Sequence, residues 1–275
     1  MKKQLAILMT VFNRKDKTLA CLKALYNCIL PNEYMLTVFM MNDSCSDGTE
    51  KAVASQFPKV NIIQSNGNLY WNRGMRLAWQ TAAIKADFDY YVWLNDDVIL
   101  FENALSEIIN CSETKNNLAM VCGSTCAIEN KSIITYGGRI RRVGIVQPNG
   151  QMQSCDCCNG QICLIPKAVY KVMGMNDPIF HHGFGDWDYS YRAKKKGFDI
   201  IVAPNISGFC DVNANDSFPK YLNSEISLFI RLKILYSPLG KNPFQFFVYT
   251  YRHKSLHSAI ISFIQQHLEV TFPKK

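Results

Sequence analysis

Residues 5 to 94 alternate two periodicities, and that alternation limits the possible folds more than any other feature of the chain. Apolar, β-prone runs stand at 5–11 (LAILMTV), 36–41 (LTVFMM), 60–65 (VNIIQS) and 89–94 (DYYVWL). Between them, KDKTLACLKALYNCI (15–29) sets Leu19, Leu22, Leu25 and Tyr26 on one helical face, SDGTEKAVASQF (46–57) opens on a capping signal, and NRGMRLAWQTAAIKA (72–86) supplies a third helix. Strands that alternate with helices return the chain to the same end of a sheet. The expectation is therefore an α/β fold with a mostly parallel central sheet flanked by helices. Ligands of such sheets collect beyond the carboxyl ends of the strands.

Those ends are polar. TVFNRKD follows the first run, NDSCSDGT the second and NDDV the fourth, so three polar clusters converge on one rim. Taken singly, Asp43, Ser46 and Asp47 read as helix N-caps. Together with the adjacent acids Asp96 and Asp97 they read as a site for a charged ligand. Two neighbouring carboxylates repel unless they are solvated or share a cation, and a divalent metal is the expected answer. Acids turned away from any cleft, or tied to the chain's own lysines and arginines, would remove the ground for that answer and for any function built on it.

The second half is less regular. A hairpin-like stretch (135–156) leads to the strand GQICLIP, the short helix KAVYKVMG and the turn HHGFGDWDYSYRAKKKG (181–197). DYSYRAKKKG reads as a helix ending at Gly197, which puts Asp186 just before its start and Asp188 in its first turn, where the helix dipole favours an anion. The only domain boundary suggested lies near Asn215 to Pro219, dividing a body of residues 1–218 from a helical C-terminal extension, 219–275.

Composition narrows the class. Of 275 residues, 48% are hydrophobic, which is ample for a buried core, yet no apolar run reaches the roughly 18 residues a membrane span needs. The start of the chain lacks the pattern of a cleaved signal, so a cytoplasmic location is expected. Eleven cysteines, an odd number in a large chain, read as reduced core thiols, and the cluster CDCCNGQIC lacks the paired spacing of zinc modules. The net charge of +8 is uneven: residues 1–218 carry 22 basic and 20 acidic groups, whereas 219–275 carry 8 and 2. The basic tail is interleaved with aromatics, which suits contact with an anionic membrane surface as well as it suits a solvated terminal helix. No nucleic-acid-binding motif accompanies the charge, so no nucleic-acid partner is expected.

In order along the chain, ILMTVFNR, NDSCSDGT, GNLYWNRGMRLAW, LNDD and GDWDYSYRAKKKGF resemble the successive motifs of inverting family 2 glycosyltransferases with the GT-A fold, in the branch that includes bacterial rhamnosyltransferases. The resemblance covers most of residues 4–205. It implies that Thr10, Asn13 and Asn42 or Asp43 lie against the nucleotide, with Asn72 and Asp96 also on the donor side. Asp97, supported by Asn95, would hold a Mg²⁺ or Mn²⁺ that bridges the donor's phosphates. Asp186, or failing it Asp188, would be the catalytic base. Departures are Asn95 where the family's metal motif begins with Asp, Gly185 where its base motif has Glu, and no histidine in 207–217, with His181 and His182 as candidates to compensate.

The chemistry implied is inverting hexosyl or deoxyhexosyl transfer from a UDP- or dTDP-linked sugar to a glycan hydroxyl. The acceptor would be a lipid-linked glycan in bacterial O-antigen or capsule assembly, met at the inner face of the plasma membrane. Trp71 and Trp187 are candidates for stacking on a sugar or base, with core packing the alternative for each. Two rival functions are a non-catalytic module that kept the fold, favoured by Asn95 and the missing histidine, and a sugar-phosphate nucleotidylyltransferase. The latter is disfavoured because TVFNRKDKT has no glycine with which to build a phosphate loop.

Overall fold

The computed structural model describes residues 2–212 and 219–273. The first half follows the expected alternation. Strand β1 (Lys3–Val11) leads to α1 (Lys15–Tyr26), β2 (Tyr34–Asn42), α2 (Thr49–Gln56), β3 (Asn61–Gln64), α3 (Tyr70–Lys85), β4 (Tyr90–Leu94) and β5 (Ile99–Leu100). Next come α4 (Ala104–Thr114), β6 (Ala119–Cys126), β7 (Ile134–Tyr136), β8 (Gly138–Ile140), β9 (Gly144–Ile145), β10 (Gln153–Ser154), β11 (Cys157–Cys158), β12 (Ile162–Pro166) and α5 (Lys167–Met173). The chain closes with α6 (Gly185–Lys195), β13 (Asp199–Phe209), a 3₁₀ turn (Lys220–Leu222), α7 (Leu228–Tyr236), α8 (Pro243–His253) and α9 (Leu256–Thr271).

The main sheet runs β10-β13-β6-β12-β4-β1-β2-β3. From β4 to β3 all pairings are parallel, with Leu5 opposite both Leu36 and Tyr90. Strand β12 then enters antiparallel between β4 and β6, while β13 pairs parallel to β6. Such long-range insertions leave no local trace in a sequence. One core layer joins α1, α4 and one face of the sheet; the other buries Trp79, Trp93, Tyr91 and Tyr189 under α3 and α6. Strands covered on both faces explain why these runs read as unbroken apolar stretches.

Nine of the eleven cysteines are buried and none is bridged. The hairpin region resolves into a small β11-β8-β9 sheet and the edge strand β10 on β13. Two sequence-based boundaries shift. The helix expected from residue 46 begins at Thr49, because Gly48 takes a left-handed φ of 82° and Asp47 accepts from both the backbone N–H and the hydroxyl of Thr49. The helix expected to start after Asp186 begins at Gly185, because Phe184 turns the chain with φ 69°. Asp186 is therefore inside the first turn. The suggested boundary at Asn215 to Pro219 lies, except for Pro219, outside the described residues. Beyond it α8 packs on α6, with Tyr249 against Phe184, Trp187 and Tyr191.

Candidate active site

Parallel pairing brings the carboxyl ends of β1, β2, β3 and β4 to one edge, so residues 12–14, 43–48, 65–69 and 95–98 share a rim. Antiparallel β12 starts at the same edge, where the Asn95 N–H donates to the Gln161 carbonyl at 3.0 Å. Asp186 is pinned to that loop: its Oδ2 accepts from the Gly160 N–H at 3.0 Å and its Oδ1 from the Trp187 N–H at 2.8 Å. The loop 159–161 thus links Asp186 to the acids that follow β4.

Burial pushes the Asp186 carboxyl up to about 7 even though two backbone N–H groups favour its charged form. Asp188, one residue pair further on, has a different character. It is fully buried and accepts from Arg192 Nε at 2.7 Å, Arg252 Nη1 at 3.2 Å and His253 Nε2 at 2.9 Å. Its pKa stays below the usual carboxylate range, since these partners outweigh its desolvation. Both side-chain oxygens of Asp188 are taken up within α6 and at its junction with α8, whereas Asp186 presents a near-neutral carboxyl beside the rim.

The paired acids are not free. Arg14, at the end of the first rim loop, sets its Nη1 2.9 Å from Asp97 Oδ2 and 3.3 Å from Asp96 Oδ1. The two carboxylate side chains are 6% and 7% exposed, whereas the guanidinium is 39% exposed. Asp96 also accepts from Thr18 Oγ1 at 3.3 Å, and burial raises its pKa to about 7 against the pull of Arg14. This is the outcome that the sequence argument held against a metal and against the sugar transfer built on it: an arginine of the chain's own occupies the gap. It corrects the picture of two acids facing a vacant cation position. The rim still carries a cation between them, on a side chain long and exposed enough to move.

Asn95 is equally committed, with Oδ1 accepting from Trp71 Nε1 at 2.7 Å. Trp71 in turn lies edge-on to Trp93 and covers Gly160, where an added Cβ would come within 2.1 Å of its ring. Cys210, immediately after β13, points its thiol at Asp97 Oδ1 at 3.6 Å. His181 and His182 sit against the start of α3, His181 carrying its carbonyl to the N–H groups of Asn72 and Arg73 and His182 accepting from the Trp71 N–H. Among the described residues no group of three or more His, Cys, Asp or Glu side chains is arranged to hold a metal. An ion at the rim would therefore have only the Asp96–Asp97 pair to draw on from these side chains, which would suit one that takes one or two carboxylates and the rest of its oxygens from phosphates.

The remaining candidates form the framework of the rim. Thr10 lies under α3, where its hydroxyl would be 2.5 Å from a Cβ at Gly74. Asn13 accepts from the Ser46 N–H at 2.7 Å, and Asn42 donates to Gln64 and accepts from the Cys45 N–H, so both tie neighbouring loops together. Asp43 caps α3, accepting from Leu69 and Tyr70 N–H groups and from Ser65 Oγ. Asn72 is fully buried and cross-links α3 to Asp177, Phe180 and Asn176. Trp187 lies with Arg139 5.8 Å over its ring.

Asn72 also explains a departure from the family pattern. A Cβ on Gly185 would stand 1.8 Å from Asn72 Oδ1, so the Glu of the family's base motif has no room here. Gly185→Ala is expected to cost about 1–3 kcal/mol by overpacking, read as a lower unfolding midpoint in urea. Unchanged stability would show that Asn72 yields.

Sequence reasoning singled out Asp96, Asp97 and Asp186 but missed Arg14 as the partner of the paired acids, although it lies in the quoted TVFNRKD, and missed the loop at Gly160 that carries Asp186 to the rim. The profile of a "Glycosyltransferase like family 2" matches residues 3–231. No curated protein matches the chain in sequence. A solved mannosyltransferase from Pyrobaculum calidifontis, in complex with GDP-mannose and Mn²⁺, superposes with a TM-score of 0.59 at 13% identity, covering 100% of this chain and 77% of that one. A strand order with acids after its fourth strand, that shared architecture, and a profile match over most of the residues lead to one conclusion: the chain belongs to glycosyltransferase family 2 and has the GT-A fold.

Proposed function

We propose that the protein transfers a hexosyl or deoxyhexosyl group from a nucleotide-diphospho-sugar to a hydroxyl of a glycan acceptor, with inversion. The observation that carries this reading is Asp186: a carboxyl near pKa 7, held by one loop beside the rim that bears Asp96 and Asp97. A base of that strength is ionised at neutral pH in a large share of molecules and still accepts a proton from an attacking hydroxyl. With the base on the acceptor side and the anion-handling groups on the donor side, displacement runs in line through one step, and inversion follows. Thr10, Asn13, Asn42 and Asp43 hold the loops that would receive the nucleotide. A Mg²⁺ or Mn²⁺ bound through Asp97 and the diphosphate would neutralise the leaving group's charge.

Arg14 gives a specific reason to keep a non-catalytic module as the second reading, since a fixed bridge would close the donor site. A thermal-shift panel of UDP, dTDP and GDP with their sugars, with and without Mn²⁺, separates the cases. Ligand at about 100 times its Kd stabilises by ~2.7 kcal/mol, and one nucleotide is expected to do so. No shift with any of them would end the donor reading; a shift without turnover of the sugar would leave the module.

The acceptor is a lipid-linked glycan of surface polysaccharide assembly, and the support is the C-terminal face. No helix among the described residues is long and apolar enough to cross a membrane. On α9, however, Leu256, Ile260, Ile264 and Leu268 recur every fourth residue and are each about half exposed, beside Ile261. With the basic excess of residues 219–275, this stripe suits an anionic lipid surface. Ile260→Glu with Ile264→Glu is expected to abolish co-sedimentation with vesicles containing phosphatidylglycerol while leaving the unfolding temperature within a few degrees; retained binding would discard the membrane face.

A further inference from the structure

Away from the rim, a cleft of about 560 Å³ opens between α3, the segment 175–178, α6 and α8, lined by Arg76, Asp177, Arg192, Lys195, Arg252 and His253. Arg192 and Lys195 lie roughly 9 and 13 Å beyond Asp186 along α6 at ~1.5 Å per residue. The cleft is therefore separate from the base.

Its charges do not cancel. Asp188 at its floor holds Arg192, Arg252 and His253, and Asp177 holds Arg252 Nη2 at 2.8 Å. Arg76 and Lys195 bond only to backbone carbonyls, of Asn176 and Arg252. Four fixed cations thus face two carboxylates, leaving two positive charges even with His253 neutral. Two polar atoms are also buried without a partner: Arg192 Nη2 and His253 Nδ1, the latter on a side chain only 5% exposed. Arg192 Nη2 is a donor without an acceptor, costly in a cationic cleft unless an anion completes it, whereas His253 Nδ1, in a ring whose Nε2–H is given to Asp188, is an acceptor.

We propose that this cleft is a binding site for a phosphate-bearing ligand, a phosphate monoester or a diphosphate, held by Arg76, Arg192 and Lys195 with His253 at its edge. Guanidinium groups match the oxygen geometry of phosphate, and two uncompensated charges match a dianion. The volume leaves room for the group that bears the phosphate. The site follows from this cleft alone and does not rest on the transferase reading.

The test uses the full chain in EDTA, so that metal-assisted binding at the rim does not contribute. Calorimetric titration with pyrophosphate is expected to show binding to the wild type and about tenfold or greater weakening in Arg76→Gln/Lys195→Gln, which spares the Asp188 ion pairs. Lys195→Gln alone, on an exposed ammonium, serves if the double variant does not fold. A second arm measures flotation with phosphatidylcholine vesicles carrying a few per cent of polyprenyl phosphate. Binding there that the variants lose, without binding of free pyrophosphate, assigns the phosphate to a lipid; the reverse assigns it to a soluble ligand. Equal behaviour of wild type and variants in both arms overturns the site.

Discussion

Asp186→Asn is expected to lower kcat by about 10²- to 10⁴-fold, the usual worth of a positioned general base. The amide keeps the size of the carboxylate but has a single accepting oxygen, so either the Gly160 or the Trp187 N–H loses its partner at a cost of about 1–3 kcal/mol; the fold should survive that, and nucleotide binding should be nearly unchanged. The pH profile provides a second readout. A base works deprotonated, so burial that raises its pKa moves the acid limb of the profile upward: kcat/KM should climb about tenfold per pH unit below about 7 and level off above it. In Asp186→Asn that limb should disappear along with the rate. Asp188→Asn should behave otherwise. It removes the buried anion that holds Arg192, Arg252 and His253, and leaving those groups unpaired costs about 3–5 kcal/mol. A larger loss of stability in Asp188→Asn than in Asp186→Asn, with the larger loss of rate in Asp186→Asn, would separate a junction from a base. A full rate in Asp186→Asn would refute the assignment.

The half of the sheet that was legible is the half made of local units. Strands at 5–11, 36–41, 60–65 and 89–94 were readable because parallel strands covered on both faces leave unbroken apolar runs, and the helices between them because one face repeats at helical spacing. Their carboxyl ends then followed from connectivity alone. What escaped was set by distant pairing. The entry of β12 between β4 and β6 moves Gly160 to the rim, and the bond of Arg14 to Asp96 spans 82 positions. Gly185 looked like a lapse from the family's base motif, yet its missing side chain is the space taken by Asn72, a residue 113 positions earlier whose amide is fixed by three other contacts. The adjacent acids were read as sharing a divalent cation, and the structure sets Arg14 against them instead. The electrostatic demand was visible; which cation meets it depended on a loop trajectory no periodicity encodes.

Arg14 and Asp97 should therefore give opposite signatures. In the absence of ligand the guanidinium neutralises two carboxylates that are almost fully buried, while remaining 39% exposed itself. Removing it in Arg14→Met leaves like charges facing each other; after allowance for solvent at the exposed guanidinium the cost should be about 2 kcal/mol, or a fall of roughly 4–8 °C in Tm. The same change clears the position a divalent ion would take, so Mn²⁺ alone should raise the Tm of Arg14→Met by more than it raises that of the wild type. Asp97→Asn acts on the other side of the bridge. It removes the oxygen nearest to Arg14 and the anion on which a cation beside the diphosphate would depend, so kcat/KM should fall by about 10²-fold or more and the Mn²⁺-induced shift should vanish. Paired in this way, the two variants distinguish a movable arginine from a permanent one. If Mn²⁺ stabilises neither the wild type nor Arg14→Met while sugar transfer persists, the guanidinium itself is the cation the rim was built around, and Arg14→Met should then lose the rate that Asp97→Asn retains.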